Sequence, residues 1–403
     1  MKLLHVINSM DPSYGGTCQA IRNLVPGLQD LGVESEVVST DDPNASFLGK
    51  DSFRISAVGP SSGPWSYSSK FTPWLIENVG RFNSIIIHGL WQYPGYATSK
   101  VMRNFKNDAN GKESRPKLFV MPHGMLDPYF QKAAGRKLKA IRNVLYWKLI
   151  EGKVINKADA LLFTCEEERQ LAKQPFRPYH PAKECVVGLG VEEPPPFTES
   201  MRSAFLEKCK TVAHKPYLLF LSRIHEKKGV DLLLKAYIEV FKNSKNARTD
   251  LPVLIVAGPS LDSPYGQAMQ KLAGESELKD SILFPGMLSG DSKWGAFYGC
   301  DAFVLSSHQE NFGIAVVEAL ACGKPVLISN QVNIWREIED SGGGIVADDS
   351  LPGTQQLLSR WKELSRDAQL SLGINARKTF EKNFATESAA RRMLSVISND
   401  LRY

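Results

Sequence analysis

The chain contains no run of apolar residues approaching the roughly 18 needed to span a bilayer. It has no Gly-x-Gly-x-x-Gly after the first strand-like run of either half and no Gly-x4-Gly-Lys-Ser/Thr loop. The first absence weighs against a nicotinamide or flavin enzyme, the second against a P-loop enzyme. Cysteine is scarce: residues 18, 165, 185, 209, 300 and 322 form no Cys-x-x-Cys pair and no Cys/His cluster. A structural zinc site is therefore not expected, and a reduced cytosolic interior is the expected setting. The opening MKLLHVINSM meets Asn8 and Asp11 too soon to read as a signal peptide. Low-complexity tracts are missing, and the net charge is only +6. That charge is too small to argue for nucleic acid, though it suits phosphate-bearing ligands or an anionic membrane surface.

What is present is a long, ordinary globular composition: 403 residues, 43% hydrophobic and 23% charged. Such a length predicts two domains of roughly 200 residues each. Short β-branched runs alternate with amphipathic stretches throughout, the pattern of parallel sheets covered by helices. In the first half the strand candidates are 3–7, 36–39, 84–88, 118–121 and 160–164; in the second they are 217–221, 253–257, 282–284, 302–305 and 325–328. Ile21, Leu24, Val25, Leu28 and Leu31 give one helix its apolar stripe, and Leu232, Leu233, Ala236, Tyr237 and Val240 give another. Between the halves, GVEEPPPFTESMRSAFLEKCK (190–210) carries three consecutive prolines and no strand, and reads as a linker. Two doubly wound α/β domains would bind ligands beyond the carboxyl ends of their strands, with a cleft between the domains as the default site.

Four stretches fall at predicted strand ends. In SMDPSYGGTCQAI (9–21), Gly15 and Gly16 precede a helix whose N-terminal N–H groups can meet an anion; an ordinary tight turn explains them equally well. In FLSRIHEKKGVDLLLKA (220–236), Arg223 and Lys228 flank a loop that ends in Gly229. A planar fork and a point charge can converge on a diphosphate, although a lone Arg–Lys pair is more often solvated surface charge. In FVMPHGML (119–126), His123 follows an apolar strand; Trp91 and Tyr93 follow another strand in IIIHGLWQYPG (85–95). These aromatics suit either stacking on an acceptor sugar or core packing.

The fourth stretch, QENFGIAVVE (309–318), sets two glutamates around an apolar run. Asn311, Phe312 and Gly313 are expected to begin the helix. Glu318 would then lie about a turn and a half inside it, its carboxylate leaning back toward the mouth. A carboxylate aimed at vicinal hydroxyls is a common way to hold a ribose.

Taken together, the Gly15–Gly16 loop, SRIHEKKG, the Glu310-x7-Glu318 spacing, the FPGM step at 284–287 and ALACGKPVLIS after the second glutamate resemble the retaining glycosyltransferases of family four. The resemblance covers the full chain and is most specific from Tyr217 to Ala347. It implies a GT-B fold: an acceptor-binding Rossmann-like domain over 1–195, joined by a C-terminal helix at about 386–403, and a donor-binding one over 196–385. It also implies that Arg223 and Lys228 bind the diphosphate of a sugar nucleotide and that Glu318 binds the ribose. Glu310 with the Asn311–Gly313 backbone would hold the donor sugar and phosphate. Met287 would sit at the base, Gly15 and Gly16 would close over the phosphate, and His123 would stand near the anomeric centre.

The expected reaction is transfer of a hexose from a nucleoside-diphosphate sugar, with UDP the more frequent base in the family, to a saccharide or lipid-linked saccharide in envelope or exopolysaccharide assembly. No Asp-x-Asp stands at a strand end, so the two cations would replace Mg²⁺ and no metal or other cofactor is expected. Same-face attack within an ion pair is the expected route to retention. A GT-B-fold sugar-nucleotide epimerase and a non-catalytic sugar-nucleotide-binding partner are the rival readings.

Residues 131–157 carry eight cations (132, 136, 137, 139, 142, 148, 153, 157) against Glu151 alone. With Ile141, Leu145, Tyr146, Trp147 and Leu149 they read as either an interfacial helix on anionic lipid or a solvated helix. The first reading would put the protein on the inner face of the cytoplasmic membrane.

Overall fold

The computed structural model describes residues 1–105, 115–132, 137–213, 215–242 and 251–398. It divides into two compact units, one formed by Met1–Gly190 with the residues from Thr386 on, the other by Val191–Ala385.

The first unit is built on a wholly parallel seven-stranded sheet in the order β3-β2-β1-β4-β5-β6-β7. Its strands are β1 (Lys2–Val6), β2 (Glu34–Ser39), β3 (Arg54–Ala57), β4 (Ser84–His88), β5 (Lys117–Met121), β6 (Ala160–Phe163) and β7 (Glu184–Val186). The second unit has a parallel six-stranded sheet, β10-β9-β8-β11-β12-β13. It comprises β8 (Tyr217–Leu221), β9 (Val253–Ala257), β10 (Ile282–Gly286), β11 (Ala302–Leu305), β12 (Val326–Ser329) and β13 (Gly344–Ala347). Strands such as VLIVA and AFVL are apolar throughout because helices cover both faces of a parallel sheet.

The three strands absent from the sequence expectation are β3, β7 and β13, all at sheet edges. RISA and ECV are broken by polar residues, and GIVA, though apolar, is short and begins with glycine; all three are partly exposed, as edge strands can be.

Helix Gly16–Asp30 buries Ile21, Leu24, Val25 and Leu28 and tolerates Pro26 inside it. Helix Val230–Phe241 buries Leu233, Leu234, Ala236, Tyr237 and Phe241; its inward face therefore takes Leu234 and Phe241 where the sequence suggested Leu232 and Val240. The proline segment is shorter than its composition implied. Thr198 caps a helix, Glu199–Lys208, whose Met201 and Phe205 are buried in the second unit. A Cβ on Gly295 would lie 2.0 Å from the Met201 carbonyl oxygen, so the helix carrying Gly295 packs tightly on this one. The closing helix Thr386–Ser398 returns to the first unit, where Ala390, Met393 and Ile397 join Leu3, Leu24 and Leu28 in one core.

The basic stretch is not a single amphipathic helix. Helix Lys137–Tyr146 runs into a π-helical segment, Trp147–Glu151, and then Gly152–Lys157. Trp147 is buried, stacked 4.8 Å from Phe176, so it faces the core and not a lipid surface. Leu138, Ile141, Leu145 and Leu149 remain exposed. Arg136 and the side chain of Lys137 lie outside the described residues. Among the described residues no helix is long and apolar enough to cross a membrane.

Candidate active site

In the second unit the chemistry gathers beyond β8 and β11, which are neighbours in the sheet. The loop after β8 is stitched on two sides. Ser222 N donates to Ala257 O at 3.1 Å and Ile224 N to Pro259 O at 3.0 Å, extending the β8–β9 ladder past Arg223. Gly258 permits this: a Cβ there would lie 1.8 Å from Ser222 O. On the other side, Ser307 Oγ donates to Lys227 O and Ser306 Oγ to Gly229 O. Gly229 is left-handed (φ 63°), and a Cβ there would meet Ser306 O at 1.9 Å. Glycine is thus required where the loop meets the end of β11.

This stitching places Lys228 against Glu310, with which it forms a hydrogen-bonded ion pair. The two side chains are 12% and 23% exposed, a setting in which a pair is far less screened than at the surface. Glu310 is itself fixed by its backbone, which donates to Gln331 O and accepts from Asn333 N, both at 2.9 Å. Arg223 is exposed, and among the described residues it has no ion-pair or hydrogen-bond partner.

The helix begins later than expected. Asn311–Gly313 precede it: Gly313 (φ 75°) is the cap and Ile314–Ala321 the helix. Phe312 is buried and its ring meets Phe384 edge-on at 5.7 Å, so its side chain belongs to the core. The Asn311 Oδ1 accepts a long 3.4 Å hydrogen bond from Asn333. Glu318 has a partner that the sequence did not suggest: Lys293 Nζ donates to it at 2.8 Å while lying 4.0 Å above the Trp294 ring. Met287, after the left-handed Gly286, is 62% exposed, and its carbonyl accepts from Lys208 Nζ at 3.0 Å.

In the first unit, Gly15 (φ 82°) caps helix Gly16–Asp30, and a Cβ on either Gly15 or Gly16 would meet nothing. The loop before it is held by Asp41, which accepts from Ser9 Oγ at 2.6 Å and from Met10 N at 2.7 Å. Arg22 ties the same loop to Asp51, donating to Met10 O as well.

His123 occupies the left-handed region (φ 52°), unusual for a side-chain-bearing residue. The buried Glu168 holds that turn, accepting from Gly124 N at 2.5 Å and from both the Thr164 N–H and its hydroxyl. Burial raises the Glu168 pKa, with those hydrogen bonds pulling the other way.

Behind His123 lie two further histidines. His5 Nδ1 is 2.9 Å from His88 Nε2, and His88 Nδ1 is 3.0 Å from His123 Nε2. The three thus form one chain across the ends of β1, β4 and β5, with adjacent rings about 5 Å apart. Desolvation disfavours the charged imidazole and lowers all three pKa values, His5 to about 3 and His123 to about 4. His5 had a signal in the sequence, a polar residue inside an apolar strand.

Tyr93 is buried. Its hydroxyl shares a 2.7 Å hydrogen bond with Thr72, and its ring packs against Trp65 and Tyr67, so it offers no exposed face. Trp91 (φ 71°) is half-buried against Phe176 and Trp147. Its backbone N–H donates to Glu151, whose buried carboxyl is pushed up to about 8 by desolvation. The exposed aromatic of this cluster is Tyr67.

Residues 202–379 match the model of the family described as glycosyl transferases group 1, and residues 15–190 that of a glycosyl transferase 4-like domain. D-inositol 3-phosphate glycosyltransferase of Geodermatophilus obscurus is 27% identical over 258 residues, 62% of this chain and 56% of that protein. The enzyme of the same name from Frankia alni is 34% identical over 134 residues, 32% of each. The chain thus spans about half, or less, of the length of these curated relatives.

Among solved structures, a glycosyltransferase of Rickettsia africae superposes with a TM-score of 0.74 at 17% identity, over 100% of this chain and 98% of that one. HepE of Anabaena, solved with UDP and glucose, superposes with a TM-score of 0.68 at 16% identity, over 99% and 100%. These likenesses show the fold. With two family models that together span most of its length and a parallel sheet in each half, the chain belongs to the family-four type of glycosyltransferases and has the GT-B fold.

Proposed function

We propose that the protein transfers a hexose from a nucleoside-diphosphate sugar, UDP-glucose or a related UDP-hexose, to a saccharide acceptor with retention at the anomeric carbon. The observation that carries this reading is the Lys228–Glu310 pair, fixed between the loops after β8 and β11. A cation held at a strand end can receive the charge that develops on the β-phosphate as the nucleoside diphosphate departs. Exposed Arg223, in the same loop, supplies a second charge in fork geometry. Glu310 and the Asn311–Gly313 backbone would then bind the sugar and phosphate, Glu318 the ribose and Met287 the base.

The two cations do the electrostatic work that Mg²⁺ does in other transferases, so turnover should survive chelation. HepE, solved with UDP and glucose, supports the choice of donor. The curated relatives are named for D-inositol 3-phosphate, which supports considering that acceptor class beside saccharides and lipid-linked saccharides. Calorimetry against UDP-, GDP- and ADP-sugars tests the donor, and product stereochemistry by NMR tests retention. An epimerase would instead convert its donor with no acceptor present.

A second element of the reading is contact with an anionic membrane surface. Leu138 (84% exposed), Ile141, Leu145 and Leu149 (68%) lie among Lys139, Arg142 and Lys148, the composition of an interfacial helix. Binding to anionic vesicles at low ionic strength, lost at high salt, is the expected result. Absence of binding at low salt rejects it.

A further inference from the structure

The three-histidine chain has two possible proton arrangements. A neutral imidazole carries one N–H, so each ring donates through one nitrogen and accepts through the other. In one arrangement, protons point toward His123: His5 Nδ1–H donates to His88 Nε2 and His88 Nδ1–H to His123 Nε2. In the other, every bond is reversed. The ends of the chain decide between them. His5 is fully buried, and its Nε2 has no hydrogen-bond partner. The first arrangement leaves a bare lone pair there; the second leaves an unpaired buried N–H. Orphaned buried N–H groups are the rarer of the two in folded proteins. This favours the first arrangement, which puts the proton of His123 on Nδ1, at the outer end of the chain.

We propose that His5 and His88 are positioning residues that hold His123 as a neutral imidazole with its proton on Nδ1. His123 then serves as a hydrogen-bond donor to a substrate oxygen, not as a base. Its Nε2 lone pair is occupied by His88, and the left-handed turn buttressed by Glu168 fixes where the ring lies. Burial keeps the whole chain uncharged through the physiological range. Glu168, the carboxyl that holds the turn next to His123, spends its oxygens on Gly124 and Thr164, and Asp127 acts on Glu168 rather than on the imidazoles. A neutral donor aimed at a sugar hydroxyl or phosphate oxygen keeps its hydrogen bond while charge builds on that oxygen.

The catalytic consequence rests on the reading of His123 as a neighbour of the donor sugar; the tautomer does not. The test is nitrogen NMR of the ¹⁵N-histidine-labelled protein, because protonated and lone-pair ring nitrogens resonate far apart. The seven histidines are assigned by single substitutions. Wild type should show His123 protonated on Nδ1 and no titration of His5, His88 or His123 from pH 8 to 5. His88→Phe should leave His123 in a mixture of tautomers and lower kcat about 10–100-fold, the range for outer partners that orient a histidine, with a smaller change in donor KM.

A wild-type His123 protonated on Nε2 overturns the proposal, as does an unchanged tautomer in His88→Phe. If that variant does not fold, the wild-type spectrum alone decides. Nδ1–H on His123 in a protein that transfers no sugar would sink the reading of the site and leave the histidine chain standing. Turnover with an Nε2–H would do the reverse.

Discussion

Beyond β1, β4 and β5 three imidazoles share two hydrogen bonds, and burial keeps them uncharged. Beyond β8 and β11 the same kind of edge carries opposed charges instead: Lys228 against Glu310, and nearby in the fold Lys293 against Glu318. Both sheets are parallel, and both end their central strands in loops held by backbone hydrogen bonds. The difference is in what those loops leave unmet. In the second unit Lys228 and Lys293 are each paired with a carboxylate while Arg223, among the described residues, is not, so on the proposed reading a diphosphate would compete with Glu310 for Lys228 and meet Arg223 free. The first unit offers imidazoles that burial keeps uncharged and that no anion needs to neutralise. A fold repeated twice thus supplies two kinds of electrostatics, set by how deeply each end is desolvated.

Removing the charge from the second unit should have the largest effect. Lys228→Ala is expected to cut transfer about 10²–10³-fold, as for loss of one donor to a developing oxyanion. It also leaves Glu310 half-buried and unpaired. Near-normal turnover would break the contrast by showing that the charged edge does not act on the reaction.

A smaller loss is expected on donor affinity. Glu318→Ala should weaken donor binding about 10–100-fold, corresponding to roughly 1.5–3 kcal/mol for hydrogen bonds to a charged group. Lys293→Met, which releases Glu318 but leaves it in place, should cost less than tenfold. Calorimetric titration of both variants checks the order. If Lys293→Met proved the worse of the two, the cation and not the carboxylate would be the contact with the donor.

The smallest effect sharpens the neutral side. Glu151 is held near 8 when folded against 4.5 unfolded, so the folded chain keeps a proton that the unfolded chain releases. Its contribution is fully present below pH 4.5 and is lost as pH rises toward 8. The histidines have the opposite sign. With folded values of about 3 for His5 and about 4 for His123, their contribution is present above 6.5 and lost as pH falls toward those values. Between pH 6.5 and 8 the Glu151 slope stands alone among these groups, at most about 1.4 kcal/mol per pH unit for one proton. Urea unfolding at both pH values should show a steeper fall in wild type than in Glu151→Gln, any remainder coming from groups such as Glu168 whose pKa burial also raises; equal slopes reject a protonated Glu151.

The candidate site was legible in part. Arg223, Lys228, Glu310 and Glu318 stood out because charge beside apolar strands and in an apolar helix needs a reason. Their partners did not. Lys293 lies 25 residues from Glu318 on a helix with no unusual pattern, and only packing brings the two together. Trp147 shows the opposite failure. A basic, aromatic stretch reads as an interfacial or a solvated helix, but Trp147 and Glu151, at the two ends of its π-helical segment, are buried in the core. The edge strands were illegible because a strand paired on one side needs little apolar sequence.

The alternation of strand and helix, the two sheets and the residue types at their ends follow from local pattern, because periodicity and burial are local demands. The tertiary structure decided which charges meet, which imidazoles share protons, and that Gly229 and Gly258 lie against backbone oxygens at 1.9 and 1.8 Å from where a Cβ would stand. Those outcomes depend on distances between segments far apart in the chain, which no local pattern encodes.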